Sequence, residues 1–294
     1  MRRTAGKRAR AIALGTAGVL LLALAWELYK SFGPLAGWGV GGVLLLPRTD
    51  DISMPHLGAM LARTAEPLTS AADSQPVWLI VLLGCVSSLG TAFLGLLIGA
   101  VVGIGLALVM LRFRVAEAAV LPWLVLSQTV PLIALAPLVV TWGGQLQFGS
   151  FSWQRWMSVA VIASYLAFFP VAIGALRGFQ SPEVAHTELM HSYAVGWWKT
   201  LFYLRLPASV PYLLPAMRLG AASAIIGTVV AEVSTGTEGG IGRLIIEFAQ
   251  SGSSDPAKAY SPIAGAVLMG LAAAGIVSIM GLALSRYRRN EAQS

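Results

Sequence analysis

Charge is scarce in this chain of 294 residues: Asp, Glu, Lys and Arg make up 11% of it, against 56% hydrophobic residues. So few charges cannot coat a water-soluble globule of this size, and a mean hydropathy of +0.75 places the chain in a bilayer. Cysteine is scarcer still. Cys85 is the single one, sits in an apolar run as a small core residue, and has no partner for an internal disulfide. No G-x-x-x-x-G-K-S/T run occurs, which excludes a phosphate-cradling loop of this chain's own. His56, His186 and His191 stand in no ligand spacing with cysteine or with one another, and read as solvated surface residues. No paired acids or other catalytic cluster is visible, which removes the basis for a membrane-embedded enzyme. Acids are also missing from the middle of the apolar segments, where an ion-coupled carrier would keep its relay.

What is present is a basic excess and much glycine. The net charge of +7 comes from small Lys/Arg clusters beside apolar segments, so it marks topology and not a nucleic-acid surface. The 32 glycines suit closely packed helices in lipid, where small residues let backbones approach.

Arg2, Arg3, Lys7, Arg8 and Arg10 precede an apolar run from Ala11 to Trp26. A secretory signal with Ala23-Leu24-Ala25 as a cleavage-like site is one reading; a first spanning helix ending near Tyr29 is preferred, because a polytopic chain needs no secretion signal. Ser31 to Gln75 reads as an outer loop, with Pro34, Pro47, Pro55 and Pro67 and the acids Asp50, Asp51, Glu66 and Asp73. A charge-free run from Ser74 to Leu111 exceeds the ~20 residues a crossing needs. Its spacing predicts one crossing from Leu83 to Leu111 with an interfacial lead-in, closed by Arg112 and Arg114. Glu117 to Trp142 contains Pro122, Pro131 and Pro137, which should kink or break a helix. Broken helices are tolerated at membrane depth only where protein or water satisfies the freed backbone, so this segment reads either as a pathway wall or as a bent packing helix. Gly143 to Gln154 is a short outer loop, Trp156 to Leu176 returns inward, and Tyr212 to Val233 crosses outward. Ser234 to Tyr260 is an outer loop holding Glu238, Glu247, Asp255 and the run GGIGRLI. Pro262 to Leu284 crosses back, followed by Arg286, Arg288 and Arg289. About six crossings result, with both ends on the basic, inner side. Glu27, Glu117, Arg218 and Glu232 are ionisable groups near helix ends, and snorkelling to water accounts for them as well as function does. No Lys or Arg falls near the middle of any of these spans, which favours a neutral or weakly charged solute, with Trp123, Trp142 and Trp156 as apolar surface.

The stretch Glu188 to Pro207, ELMHSYAVGWWKTLFYLRLP, interrupts this pattern. Leu189, Tyr193, Trp197 and Leu201 recur every four residues and predict a shared helical face. Periodicity alone leaves two occupants open, a protein groove or lipid headgroups. The order is specific: Glu188, two positions, three more, Ala194 where glycine is usual, nine more, Leu204, a spacer, then Leu206-Pro207. Glu183 also opens an E-x-A triplet, but would need its proline at Phe202. With the following ASVPYLLPAMRLGAASAIIGTVVAE, this resembles the EAA loop of nitrate/sulfonate/taurine-type permeases, subunits of binding-protein-dependent ABC importers. The resemblance extends from about Leu79 to Leu284.

It implies an all-α integral membrane protein of the type I importer architecture, multi-pass in a bacterial inner membrane. Residues 1–30 would be a basic tail and first helix, 31–78 an extracytoplasmic loop, 79–285 a five-helix core carrying the coupling loop 183–207, and 286–294 a cytoplasmic tail. Coupling to a separate ATPase would fall to Glu188, Leu189, Tyr193, Ala194, Gly196, Trp197, Trp198, Leu201, Leu206 and Pro207. Ala194 implies a turn in ordinary dihedral space or a bend at Gly196. Gln128, Pro131, Ala134, Pro137 and Glu232 are the pathway and gate candidates. The chain would hold no cofactor of its own, ATP being bound by the partner. The other partners implied are a solute-binding protein outside and a second permease copy or paralogue. The wording of the loop is closest to the pyrimidine-precursor branch.

Overall fold

A computed structural model describes residues 2–41, 43–71 and 73–283. They fall into two units: 1–81 with 247–264, and 82–246 with the residues from 265 onward. The last cluster of the sequence reading, Arg286, Arg288 and Arg289, lies outside the described residues.

In the first unit the apolar amino-terminal run continues as helix α1 (Arg2–Phe32). The segment that reads as an outer loop contains short regular elements. It holds an antiparallel hairpin, β1 (Trp38–Val40) and β2 (Val43–Leu46), and helix α2 (Leu57–Ala65). The end of α1 supplies the polar groups that fix this segment. Glu27 Oε1 accepts from the Leu57 N–H at 2.7 Å and so serves a free amide at the start of α2, while Oε2 lies 2.8 Å from His56 Nδ1. His56 is thus a partnered surface residue. Lys30 donates to the Thr49 carbonyl at 2.5 Å and pairs with Asp51 at 2.7 Å. The Lys30–Asp51 hydrogen bond, together with the Lys30 charge, holds the Asp51 carboxyl below the usual carboxylate range. Arg63 pairs with Asp255 at 2.7 Å, next to the short helix α11 (Pro256–Ala259), where Asp255 accepts from the Lys258 N–H.

The second unit is built on three long helices. The charge-free run forms α3 (Val77–Arg112) without interruption, so the expected lead-in and crossing share one continuous helix. Helix α6 (Arg155–Phe179) packs α3 on one side and α9 (Leu206–Thr235) on the other. Gly95, Gly99 and Gly103 recur every four residues on α3 and allow the approach. A Cβ at Gly99 would lie 2.9 Å from both the Ala167 Cβ and the Ser164 carbonyl oxygen. On the other side a Cβ at Gly178 would meet Ser209 at 2.8 Å. A further long helix, α12 (Ser261–Ala283), runs from the first unit into the second.

Between α3 and α6 lie α4 (Arg114–Ser127) and α5 (Leu132–Gly143), bent by 99° relative to each other. Of the three prolines expected to disturb this segment, Pro131 marks the break, as the residue before α5, while Pro122 and Pro137 stand inside helices that continue through them. The carbonyl of Ser127, freed by the break, accepts a hydrogen bond from the Tyr165 hydroxyl on α6. A second small hairpin, β3 (Gln147–Phe148) with β4 (Phe151–Ser152), joins α5 to α6. The segment expected to be the carboxyl-side outer loop contains helix α10 (Ile241–Gln250) over most of the GGIGRLI run. Among the described residues five helices are long and apolar enough to cross a membrane, and up to six spans result when the bent α4–α5 pair is one. The protein is therefore helical and multi-pass, and among the described residues strands are confined to two short hairpins.

Candidate functional site

The Glu188–Pro207 stretch is not one helix. Helix α7 (Val184–Ser192) ends at Tyr193, a turn follows, and α8 (Trp197–Thr200) leads through a π-helical turn, Leu201–Arg205, directly into α9. The expected four-residue face is therefore broken at Ala194. Leu189 and Tyr193 are exposed, while Leu201 is 3% exposed.

The turn takes its shape from the backbone. Tyr193 closes α7, the Ala194 N–H donates to the His191 carbonyl at 2.9 Å, and the Val195 N–H donates to the Met190 carbonyl at 2.9 Å. That pair of bonds defines the Schellman closure, whose next residue must be left-handed. Ala194 is that residue, with φ 52°, and among the described residues it alone has a positive φ without being glycine. Both expectations for it are corrected. The turn is not in ordinary dihedral space, and Gly196, at φ −64°, does not supply the bend.

Beyond the turn the stretch is anchored. Trp197 packs against a buried cluster that includes Ala107, Met110, Leu124, Leu176, Phe179 and Leu201. The Arg112 guanidinium lies 5.3 Å from the centre of the Trp197 ring, and Arg205 donates to the Phe179 carbonyl at 3.0 Å. Trp198 is exposed and stacks on Phe202. Glu188 is exposed, as are Leu206 and Pro207. One end of the second unit thus presents α7 outward, holding α8 by Trp197 and the π-helical turn after it by Leu201.

The pathway candidates divide. Pro131, Ile133, Ala134, Pro137 and Leu138 form the exposed side of α5, and Gln128 closes α4 just before the break. Ala136 is fully buried against Val159, Ile162 and Ala231. Glu232 is not on that exposed side. It is 3% exposed in the last turn of α9, with Ser88 and Gly242 as hydrogen-bond partners. Sequence reasoning kept Glu232 but missed Ser88, a hydroxyl in a long apolar run with nothing local to single it out.

Trp123, Trp142 and Trp156 are all exposed. Arg218 bears on the solute argument. It lies twelve positions into the 30-residue α9, near its middle, and lines a groove with Ala221, Ala222, Ile225 of α9 and Gly270, Ala273 and Ala274 of α12. No group of three or more potential metal-ligating side chains occurs among the described residues.

A bundle of long apolar helices with a broken span and an anchored surface helix pair defines the class: a polytopic, helical membrane protein with its polar chemistry at the bundle's ends. The chain belongs to the family described as binding-protein-dependent transport system inner membrane component, which residues 95–289 match. Three curated relatives show its range. The formylaminopyrimidine transport permease protein ThiX of Halalkalibacterium halodurans is 33% identical over 153 residues, 52% of this chain and 58% of that protein. The riboflavin transport system permease protein RibX of Chloroflexus aurantiacus is 31% identical over 134 residues, 46% of each chain. The taurine transport system permease protein TauC of Escherichia coli is 30% identical over 119 residues, 40% of each. The chain spans less than two thirds of the length of each of these relatives.

Proposed function

We propose that this chain is the permease subunit of an ATP-driven importer, forming the solute pathway and receiving work from separate ATPase subunits through Glu188–Pro207. The observation that carries the reading is the asymmetry of that stretch. Its first helix, α7, is exposed over Glu188 and Leu189, whereas Trp197 and Leu201 are built into the buried cluster between α3, α4 and α6. A load applied to α7 therefore passes through a short, hydrogen-bonded turn to the packed helices, which a lipid-facing amphipathic helix would not need. ATP bound by the partner would close the ATPase pair and favour one of two permease conformations, shifting the population between them. The exposed side of α5, from Pro131 to Pro137, is the proposed pathway wall, with Gln128 at the break and Glu232 at the outer gate. An extracytoplasmic binding protein would deliver the solute, and a second copy or a paralogue would complete the pathway within the bilayer.

Both termini and the Glu188–Pro207 stretch are assigned to the cytoplasm and the loops around Asp51 and Asp255 to the outside. The preferred solute is a heteroaromatic compound of the pyrimidine-precursor or riboflavin type, in keeping with the names of two relatives. An anionic solute of the nitrate, sulfonate or taurine type is the second reading. It is favoured by Arg218, a cation near the middle of α9 with no ion pair among the described residues, and by the taurine relative.

The test is a cross-link. Cysteine in place of Tyr193, in a Cys85→Ala chain co-expressed with its ATPase, should join the two in ATP-dependent yield, and Glu188→Ala should lower both that yield and uptake with insertion unchanged. A reporter at Lys199 reading outside would overturn the assignment, since the loop could not reach a cytoplasmic ATPase.

A further inference from the structure

Three helices meet at one carboxylate. Glu232, near the end of α9, has each carboxylate oxygen 2.8 Å from the Ser88 hydroxyl on α3, and Oε2 accepts from the Gly242 N–H of α10 at 2.9 Å. The Ile241 N–H donates to the Ser88 oxygen, also at 2.9 Å. Ser88 therefore accepts from α10 and gives its one hydrogen to Glu232. Two of the amides that a helix leaves unpaired at its start are satisfied here by side chains from other helices. When ionised, Glu232 also has its charge where the α10 dipole favours it.

The glycines of GGIG make the arrangement possible. A Cβ at Gly240 would stand 2.2 Å from Glu232 Oε1, and one at Gly242 would stand 2.5 Å from the Glu232 Cβ and 2.8 Å from the Val229 carbonyl. The link from α9 to α10 contains Gly236 at φ 61° and Gly239 at φ 87°, beside Gly240, so α10 hangs on a connection whose dihedrals only glycine holds easily. A fixed packing contact between helix ends is made at least cost by apolar side chains, because burying a carboxylate demands full hydrogen bonding. A carboxylate adds a hold that is strong while the site is dry and weak once water enters, since bulk water screens it and competes for its partners.

We propose that Glu232 and Ser88 form a latch, and that α10, swinging on Gly236–Gly240, is the element it releases. The latch deepens the importer reading: α10 closes the end of the pathway while fastened and opens it when water reaches Glu232. In this account Glu232 and Ser88 are positioning residues; α10 is what moves.

The experiment reads α10 and not transport, so failure of the latch is distinguishable from failure of the importer assignment. A single cysteine at Ile241, which is fully buried, is placed in a full-length Cys85→Ala chain in proteoliposomes and challenged with N-ethylmaleimide. A control chain carries its cysteine at Ala163, fully buried between α3, α6 and α9. Glu232→Gln and Ser88→Ala should each raise labelling at position 241 about tenfold, the change that loss of one charge-assisted hydrogen bond makes in an equilibrium. Labelling at position 163 should not change. No rise at 241 with either variant would overturn the latch. An equal rise at 163 would overturn it too, because Glu232 would then support the whole bundle and not α10 alone.

Discussion

Replacing Ala194 by glycine should tighten the turn that joins α7 to α8. Ala194 has φ 52°, a conformation that costs an L-residue about 1–2 kcal/mol. Glycine escapes that cost but loses more backbone freedom on ordering, about 0.5–1 kcal/mol. The difference leaves Ala194→Gly more stable locally by about 0.5–1 kcal/mol, or about two- to fivefold in the opening equilibrium. The assay is amide hydrogen exchange at Val195, whose N–H donates to the Met190 carbonyl across the turn and is lost first when the turn opens. Protection should rise by that factor at Val195 and at Ala194, and remain unchanged in α6. Ala194→Glu separates backbone from bulk. Alanine already bears the left-handed cost, so glutamate should change Val195 protection little while obstructing any partner seated on the exposed turn. Lower Val195 protection in the glycine variant would refute the reasoning, because the turn could not then be paying for a Cβ at position 194.

Single cysteines at Ile133 and Ala134 in a Cys85→Ala background should react with water-soluble thiol reagents if α5 lines a wet pathway, whereas Ala136, fully buried, should stay protected; equal protection at all three would favour a packing role for the bent pair. Gly99→Val should drive a side chain into Ala167 and Ser164 and cost about 1–3 kcal/mol, seen as a lower melting temperature or lost insertion. Asp51 titrates below the usual carboxylate range because of Lys30, so its contribution is present above about pH 4 and lost as the pH falls through the folded value. Asp51→Asn should flatten the acid limb of a melting profile, and an unchanged limb would show that the pair contributes nothing.

The long elements were readable because each rests on a local property. Val77 to Arg112 lacks charge until its last residue, and Pro131 removes a donor where a helix would have to continue. What escaped depends on partners distant in sequence. Ser88 and Glu232 are 144 positions apart, and nothing near Ser88 announces a carboxylate. Helix α10 lies in a loop marked by acids and glycines and is too short to register as a span, so GGIGRLI gives no helix signal of its own. The four-residue periodicity from Leu189 to Leu201 was a real pattern with the wrong consequence. A left-handed residue at Ala194 resets the helical phase, and alanine, a strong helix former, gives no local sign of it. A span starting at Tyr212 puts Arg218 near its inner end, whereas α9 begins at Leu206 and is continuous with the turn before it, so the helix boundary, which the sequence does not mark, decides where Arg218 falls along the helix.

The most direct measurement is solute uptake by proteoliposomes containing the full chain, its ATPase and its binding protein. Uptake that requires ATP and the ATPase, and is lost in Ala194→Glu with assembly into the membrane intact, is the predicted result. Uptake by the chain alone, driven by an ion gradient and indifferent to ATP, would contradict it.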